Sequence, residues 1–256
     1  MLYSSIENSK IKELKKLSLK KYRDKTKMFL VEGEHLIIEA YKAGYLDELL
    51  FEEGYEYNLD TKINYVSKNV MQYLSSLDTP SKMMGVCIKK DGKVNGKRIL
   101  MLDDIQDPGN LGTIIRTLDS AGIKQIILSK GTVDVYSSKV VRSTMGAIFR
   151  VNIIEAENLK NAISSIKEHG YQVMATSLQG AKSIYDVNYK KVGIIIGNEA
   201  NGVSKEILNL ADQKIKIPML RKNRKLKCSS SNQYYRIWIC KTKIKPIEKF
   251  IFYWFF

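Results

Sequence analysis

Three short segments hold the residues whose types and spacing suit chemistry. The first is Asp103-Asp104-Ile105-Gln106-Asp107-Pro108-Gly109-Asn110-Leu111-Gly112-Thr113-Ile114-Ile115-Arg116. Pro108-Gly109 predicts a turn and Asn110 a helix N-cap, so a helix is expected to begin there. Gly112 would let another backbone or a ligand approach closely. Arg116 falls under two turns into that helix. It is either a ligand contact or a solvated arginine paired to Asp119 or Asp103. The second segment is Gly197-Asn198-Glu199-Ala200-Asn201-Gly202-Val203, two glycines bracketing polar residues. That pattern suits a backbone-lined ligand site or an ordinary turn. The third is Ile215-Lys216-Ile217-Pro218-Met219-Leu220, a buried strand and its exit, after which a cofactor loop is expected.

These segments need strands and helices to hold them. Ile99–Leu102, Ile126–Leu128, Val151–Ile154, Tyr171–Ala175 and Val192–Ile196 are short apolar runs separated by helical stretches. Fully apolar strands alternating with helices predict a parallel sheet covered on both faces. Ligands of such sheets bind beyond the C-terminal strand ends, which is where the three segments fall. Residues 1–90 predict a smaller α/β unit. In it, Ile11, Leu14, Leu17 and Leu19 mark one amphipathic helix with a basic outer face, Met28–Val31 a strand, His35–Tyr45 a helix and Lys68–Leu77 another. The polar run 91–97, with two glycines, predicts a linker.

Other chemistry is not supported. His35 and His169 are the only histidines and fall in plain helical stretches. No Cys/His cluster has metal-ligand spacing, and no Walker loop, G-x-S-x-G elbow or G-x-G-x-x-G fingerprint occurs. Cys87 is the only cysteine before residue 221, which fits a reducing compartment. No apolar run approaches a membrane span and no signal core opens the chain, so a cytoplasmic protein is expected.

In this order, the segments resemble the SpoU-type (TrmH-like) RNA 2′-O-methyltransferases of the SPOUT superfamily. Asn110-x-Gly112-x-x-x-Arg116 is similar to the family's first motif, Gly197-Asn198-Glu199-x-x-Gly202 to the second, and Ile217-Pro218-Met219 to the start of the third. The stretch Tyr136–Ala147 and Ala175-Thr176-Ser177 are also similar, as are residues 1–90 to the accessory domain that many members share with RNA-binding ribosomal proteins. The resemblance implies a domain at 1–92 that binds RNA and a parallel-sheet SPOUT domain at 98–220 with a C-terminal trefoil knot. It implies S-adenosylmethionine as cofactor, no metal, a homodimer, and rRNA or tRNA as substrate. Arg116 would activate the ribose 2′-hydroxyl, with Asn110 and Glu199 setting the site. Thr176, Gly197, Ile217 and Met219 would line the cofactor pocket, as would Leu226, which falls at the family's leucine. Lys10, Lys12, Lys139 and Arg142 would contact RNA.

The resemblance ends at Leu220. Residues 221–256 hold ten Lys/Arg and one acid, hence +9 of the formal +15, leaving the first 220 residues at +6. They also hold both Trp, four of seven Phe and two of three Cys. The family continues with a glycine, an E-S-L-N-V type segment and a final helix. The genetic code connects the two. Arg221–Asn232 can be encoded by a message that, read one base later, gives Gly-Lys-Thr-Glu-Ser-Leu-Asn-Val-Ala-Val-Ala-Thr, and Ser-Ile-Ile can follow. Residues 221–256 are therefore read as an out-of-frame tail. In the chain as written the knot is then incomplete and methyl transfer impaired. The alternative is a noncatalytic RNA-binding protein derived from such an enzyme.

Overall fold

The computed structural model describes residues 1–177, 179, 182–188 and 190–216. The third motif and the tail, and with them any knot, lie outside the described residues. Two compact units divide the chain. One comprises residues 1–93, 107–116 and 133–152, the other 94–106, 117–132 and those from 153 on.

The first unit is built on a five-stranded sheet. Its elements are β1 (Leu2–Tyr3), α1 (Ser9–Lys16), α2 (Lys20–Thr26), β2 (Met28–Glu32), α3 (Glu34–Lys42), β3 (Leu46–Glu52), β4 (Lys62–Val66), α4 (Lys68–Leu74) and β5 (Met83–Ile88). The strand order is β1-β4-β3-β5-β2. β1–β4 and β3–β4 pair in parallel, and β5 pairs antiparallel with β2 and β3. Ile11, Leu14 and Leu17 pack with Val70, Met71 and Leu74 against Leu50, Met84 and Val86 of the sheet. Burial of these side chains supplies most of the driving force for the unit.

The single N-terminal helix expected from the apolar spacing is two helices. Leu17 closes α1, and Leu19 is the N-cap of α2 and 57% exposed. The break follows from what turns inward. The Arg23 side chain of α2 is buried, donating to Asp134 from Nε (3.1 Å) and Nη2 and to the Leu17 carbonyl from Nη1 (2.5 Å). A continuous helix in register with Ile11 and Leu14 would not deliver that guanidinium to both acceptors. The β2 strand falls where the sequence places it, α3 ends at Lys42 rather than Tyr45, and α4 ends at Leu74 rather than Leu77.

The second unit carries a parallel sheet. Its strands are β6 (Arg98–Asp103), β7 (Gln125–Ser129), β8 (Asn152–Ala156), β9 (Gln172–Thr176), β10 (Lys182–Ser183), β11 (Val192–Gly197) and β12 (Gln213–Lys216), in the order β10-β12-β9-β11-β6-β7-β8. β6 pairs in parallel with both β7 and β11, β11 with β9, and β12 with β9 and β10. The helices are α5 (Pro108–Ser120), α6 (Ser138–Ser143), α7 (Leu159–Glu168) and α8 (Lys205–Leu210), with α6 and the first turns of α5 belonging to the first unit. Ile163 and Ile166 of α7 and Ile207 of α8 bury against Met101, Val173 and Ile195 of the central strands.

Candidate active site

The carboxyl ends of β6, β9 and β11 lie side by side, because those strands are neighbours and all run parallel. This brings Asp103-Asp104, Thr176-Ser177 and Gly197-Asn198 to one edge of the sheet although some 95 residues separate the first from the last. Parallel strands place ligand sites at this edge.

The loop after β11 is a closed turn. The Asn198 side-chain oxygen accepts from the Ala200 and Asn201 amides (2.9 and 3.1 Å), and the Gly202 amide donates to the Asn198 carbonyl (2.8 Å). Glu199 sits exposed at the tip. A Cβ at Gly197 would overlap the Gly202 carbonyl carbon and the Val203 nitrogen, so only glycine permits this closure. Neighbouring Thr176 donates its hydroxyl to the Ile195 carbonyl (3.2 Å), and the Ser177 amide donates to the Ile215 carbonyl (2.9 Å).

Sequence reasoning missed a brace that ties three strand ends together. Asp104 is in the left-handed region (φ 66°). Its amide donates to Ser129 Oγ (2.9 Å), and its carbonyl accepts the side-chain amide of Asn198 (2.9 Å). Gln106 donates from Nε2 to the Asp104 carboxylate (2.8 Å) and the Gly131 carbonyl (2.7 Å). Asp103 accepts the Ser204 amide (2.9 Å), where α8 begins. The only signal in the sequence was an Asp-Asp pair at the end of an apolar strand. Its partners come from two other strand ends, far along the chain.

The α5 helix begins earlier than its sequence suggests. Asp107 is the cap: Oδ1 accepts the Asn110 amide (2.7 Å), and its carbonyl accepts the Leu111 amide (3.1 Å). Pro108 takes the first helical position, where a missing N–H costs nothing, so Pro-Gly here opens a helix instead of a turn. Asn110 is therefore a residue of the first turn rather than the cap. Gly112 faces α6, where a Cβ would meet the Ser143 carbonyl carbon at 2.9 Å. The close approach that the glycine permits is thus to another helix. Arg116 lies one turn further along α5 and is exposed. Asp119, one of the two acids considered beside it, also pairs with Lys124 (2.7 Å).

The four basic residues expected to meet RNA differ in surroundings. Lys10 is ion-paired to buried Glu48, and Lys12 to Glu7. Arg142 donates to Ser76 Oγ (2.7 Å), and Lys139 is exposed on α6. Ile217, Met219 and Leu226 lie outside the described residues. Both histidines are exposed. Among the described residues no group of acids, His and Cys is placed to hold a metal ion, and no helix is long and apolar enough to cross a membrane.

The SpoU rRNA Methylase family model matches residues 97–232. The chain belongs to that family. An MRM3-like substrate binding domain matches residues 8–85. The 23S rRNA (guanosine(2553)-2′-O)-methyltransferase RlmP of Bacillus subtilis is 34% identical over 222 residues, covering 84% of this chain and 89% of its own. The AdoMet-bound rRNA methyltransferase from Sinorhizobium meliloti is 30% identical with a TM-score of 0.77, covering 89% of this chain and 92% of that one. A putative RNA methyltransferase of the TrmH family from Porphyromonas gingivalis is 29% identical with a TM-score of 0.74. The family match runs through Asn232 and so takes in the first residues of the tail.

Proposed function

We propose that this SpoU family member transfers a methyl group from S-adenosylmethionine to a ribose 2′-hydroxyl of RNA. The observation that carries the reading is the kinship with RlmP along most of both chains. The reading is supported by the strand-end edge, where the tight turn that only Gly197 permits lies beside Thr176 at the end of the neighbouring strand. Gly197, Thr176 and, further on, Ile217 and Met219 would hold it there, with Leu226 marking where the family's leucine belongs. S-adenosylmethionine supplies an electrophilic methyl group.

The chain's own task is to orient a weakly acidic hydroxyl in line and to hold the charge that grows on its oxygen. Arg116 suits that task. A guanidinium stays protonated, so it acts by binding the adjacent phosphate and the developing alkoxide instead of by taking the proton. Asn110 and Glu199 set the geometry around it. The domain of residues 1–92 and the methyltransferase domain of 98–220 divide the work of RNA capture and chemistry. The substrate is ribosomal RNA, as it is for RlmP, the protein acts as a homodimer, and its place is the cytoplasm.

The chain as written lacks the family's third motif, because residues 221–256 are read out of frame. The test is incorporation of labelled methyl groups from S-adenosylmethionine into transcribed 23S rRNA, mapped as 2′-O-methylribose. Protein made from a gene with one base removed after the Leu220 codon is expected to be active, and Arg116→Ala in that protein to be inactive. Failure of the frame-restored protein to bind S-adenosylmethionine saturably would sink the reading.

A further inference from the structure

Seven residues of α2, Lys20-Lys21-Tyr22-Arg23-Asp24-Lys25-Thr26, carry four cations and one acid. Successive helical residues are turned by about 100°, so Lys20, Lys21, Asp24 and Lys25 share one side and Arg23 projects from the other. The structure agrees. Arg23 is 4% exposed and satisfied by Asp134 and the Leu17 carbonyl, whereas Lys20, Lys21, Lys25 and the following Lys27 are all exposed. The division matches the two chemistries. A guanidinium makes a planar fork suited to a buried carboxylate, and an ammonium is a hydrated point charge suited to a surface.

None of the four lysines forms an ion pair among the described residues. The one acid on their side, Asp24, is already committed. It accepts from Lys89 (2.8 Å), whose ammonium is almost fully buried and stacked over the Tyr136 ring at 4.5 Å. Burial alone would raise the Asp24 carboxyl. The Lys89 hydrogen bond and charge, with Lys20 and Lys27 behind them, outweigh that and hold it below the usual carboxylate range. Asp24 is hydrogen-bonded to Lys89, so one carboxylate is shared between Lys89 and the four exposed lysines and the face stays net positive. Lys16 lies over the Tyr22 ring (5.6 Å) and extends the same basic surface onto α1. Lys10 and Lys12, by contrast, are neutralised by Glu48 and Glu7.

We infer that the face of α2 formed by Lys20, Lys21, Lys25 and Lys27 is the phosphate-tracking surface by which the first unit holds RNA, with Arg23 as the inward anchor that presents it. Lys21 and Lys25 stand one turn apart, roughly 6 Å between Cβ atoms, so two phosphates can be engaged without strain. The contact is sequence-independent and supplies affinity, leaving base choice to other surfaces. The inference rests on the reading of this chain as an RNA methyltransferase.

The test uses the full chain and a labelled ribosomal RNA hairpin, with affinity followed by anisotropy over a salt series. Each phosphate contact contributes roughly 0.7–0.9 to the log–log salt slope. The combined variant Lys20→Gln, Lys21→Gln, Lys25→Gln, Lys27→Asn is expected to lower the slope by about 3 and the affinity at least tenfold at low salt. Replacing the same four by Arg is expected to keep both, and Lys10→Gln with Lys12→Gln to change the slope by less than about 1. The basic tail is present in every variant and cancels from the comparison. An unchanged slope in the fourfold variant, or an equal loss in the Lys10/Lys12 variant, overturns the assignment while leaving the chain an RNA binder. No RNA binding by the unaltered chain overturns the assignment and the underlying reading together.

Discussion

A single carbon atom at position 197 would open the loop that follows β11. Gly197 packs against the Gly202 carbonyl carbon and the Val203 amide, and Asn198 then closes the turn through three hydrogen bonds. In the frame-restored protein, Gly197→Ala is expected to weaken S-adenosylmethionine at least tenfold by calorimetry, since the turn must open to admit the methyl group. The fold should survive, because the change sits at a strand end. Arg116 makes a different demand. Arg116→Lys keeps the charge and loses the fork. Methyl transfer should fall by about a hundredfold or more, with cofactor affinity unchanged. Equal loss of both would show that Arg116 supports the pocket instead of the reacting oxygen. Asp104 and Gln106 act through the loops they join, and the Asp104 φ of 66° and the hydrogen bonds among these loops have no counterpart in a linear pattern.

Elements are where the sequence was most and least legible. The central strands of the second unit, β6, β9 and β11, were plain because their interiors are apolar, as burial on both faces requires. The loops at their carboxyl ends were plain for the same reason. The start of α5 was not, because Pro-Gly after a polar run opens a helix or a turn with equal ease until the cap is seen. Asp107→Ala should cost about 1 kcal/mol in thermal or urea unfolding, as the loss of a real cap does. The meeting of α5 with α6 was also hidden, since Gly112 is read equally well as ligand space. Gly112→Ala places a methyl group against the Ser143 backbone, and overpacking of that kind costs roughly 1–3 kcal/mol. On the first unit the break between α1 and α2 was obscured by Leu19, which continues the apolar spacing yet faces solvent. The Asp24–Lys89 pair adds a pH signature. A carboxylate held below its unfolded value stabilises the fold above that value, and the benefit fades as pH falls through the folded one. Asp24→Asn should therefore lower stability at neutral pH, flatten the acid limb of the profile and leave stability below the folded value least affected.

At the scale of the whole molecule, the question is how a chain with two intact motifs and an intact accessory domain comes to end in residues of another character. β12 ends at Lys216, and its neighbour β9 is already paired on both sides. The third motif, Ile217-Pro218-Met219, lies outside the described residues. On the proposed reading, Lys225 and Lys227 take the positions at which the shifted frame gives Ser and Asn, and charged lysines are poorly suited to line an uncharged cleft. The shifted frame restores Glu-Ser-Leu-Asn-Val-Ala-Val-Ala, small and apolar residues in strand-to-helix order. It continues through Ser-Ile-Ile and permits a stop codon at Ile244-Lys245 or Ile247-Glu248. Genomic resequencing across the Leu220 codon is expected to lack one base. The protein from that corrected gene should saturate with S-adenosylmethionine and resist aggregation, while the chain as written should bind it at least tenfold more weakly and aggregate through its Phe-rich, Lys-rich end. A genomic sequence that retains the base, in a protein that nonetheless binds the cofactor tightly, would mean that Lys225–Lys227 form a working wall and that the frame argument is wrong.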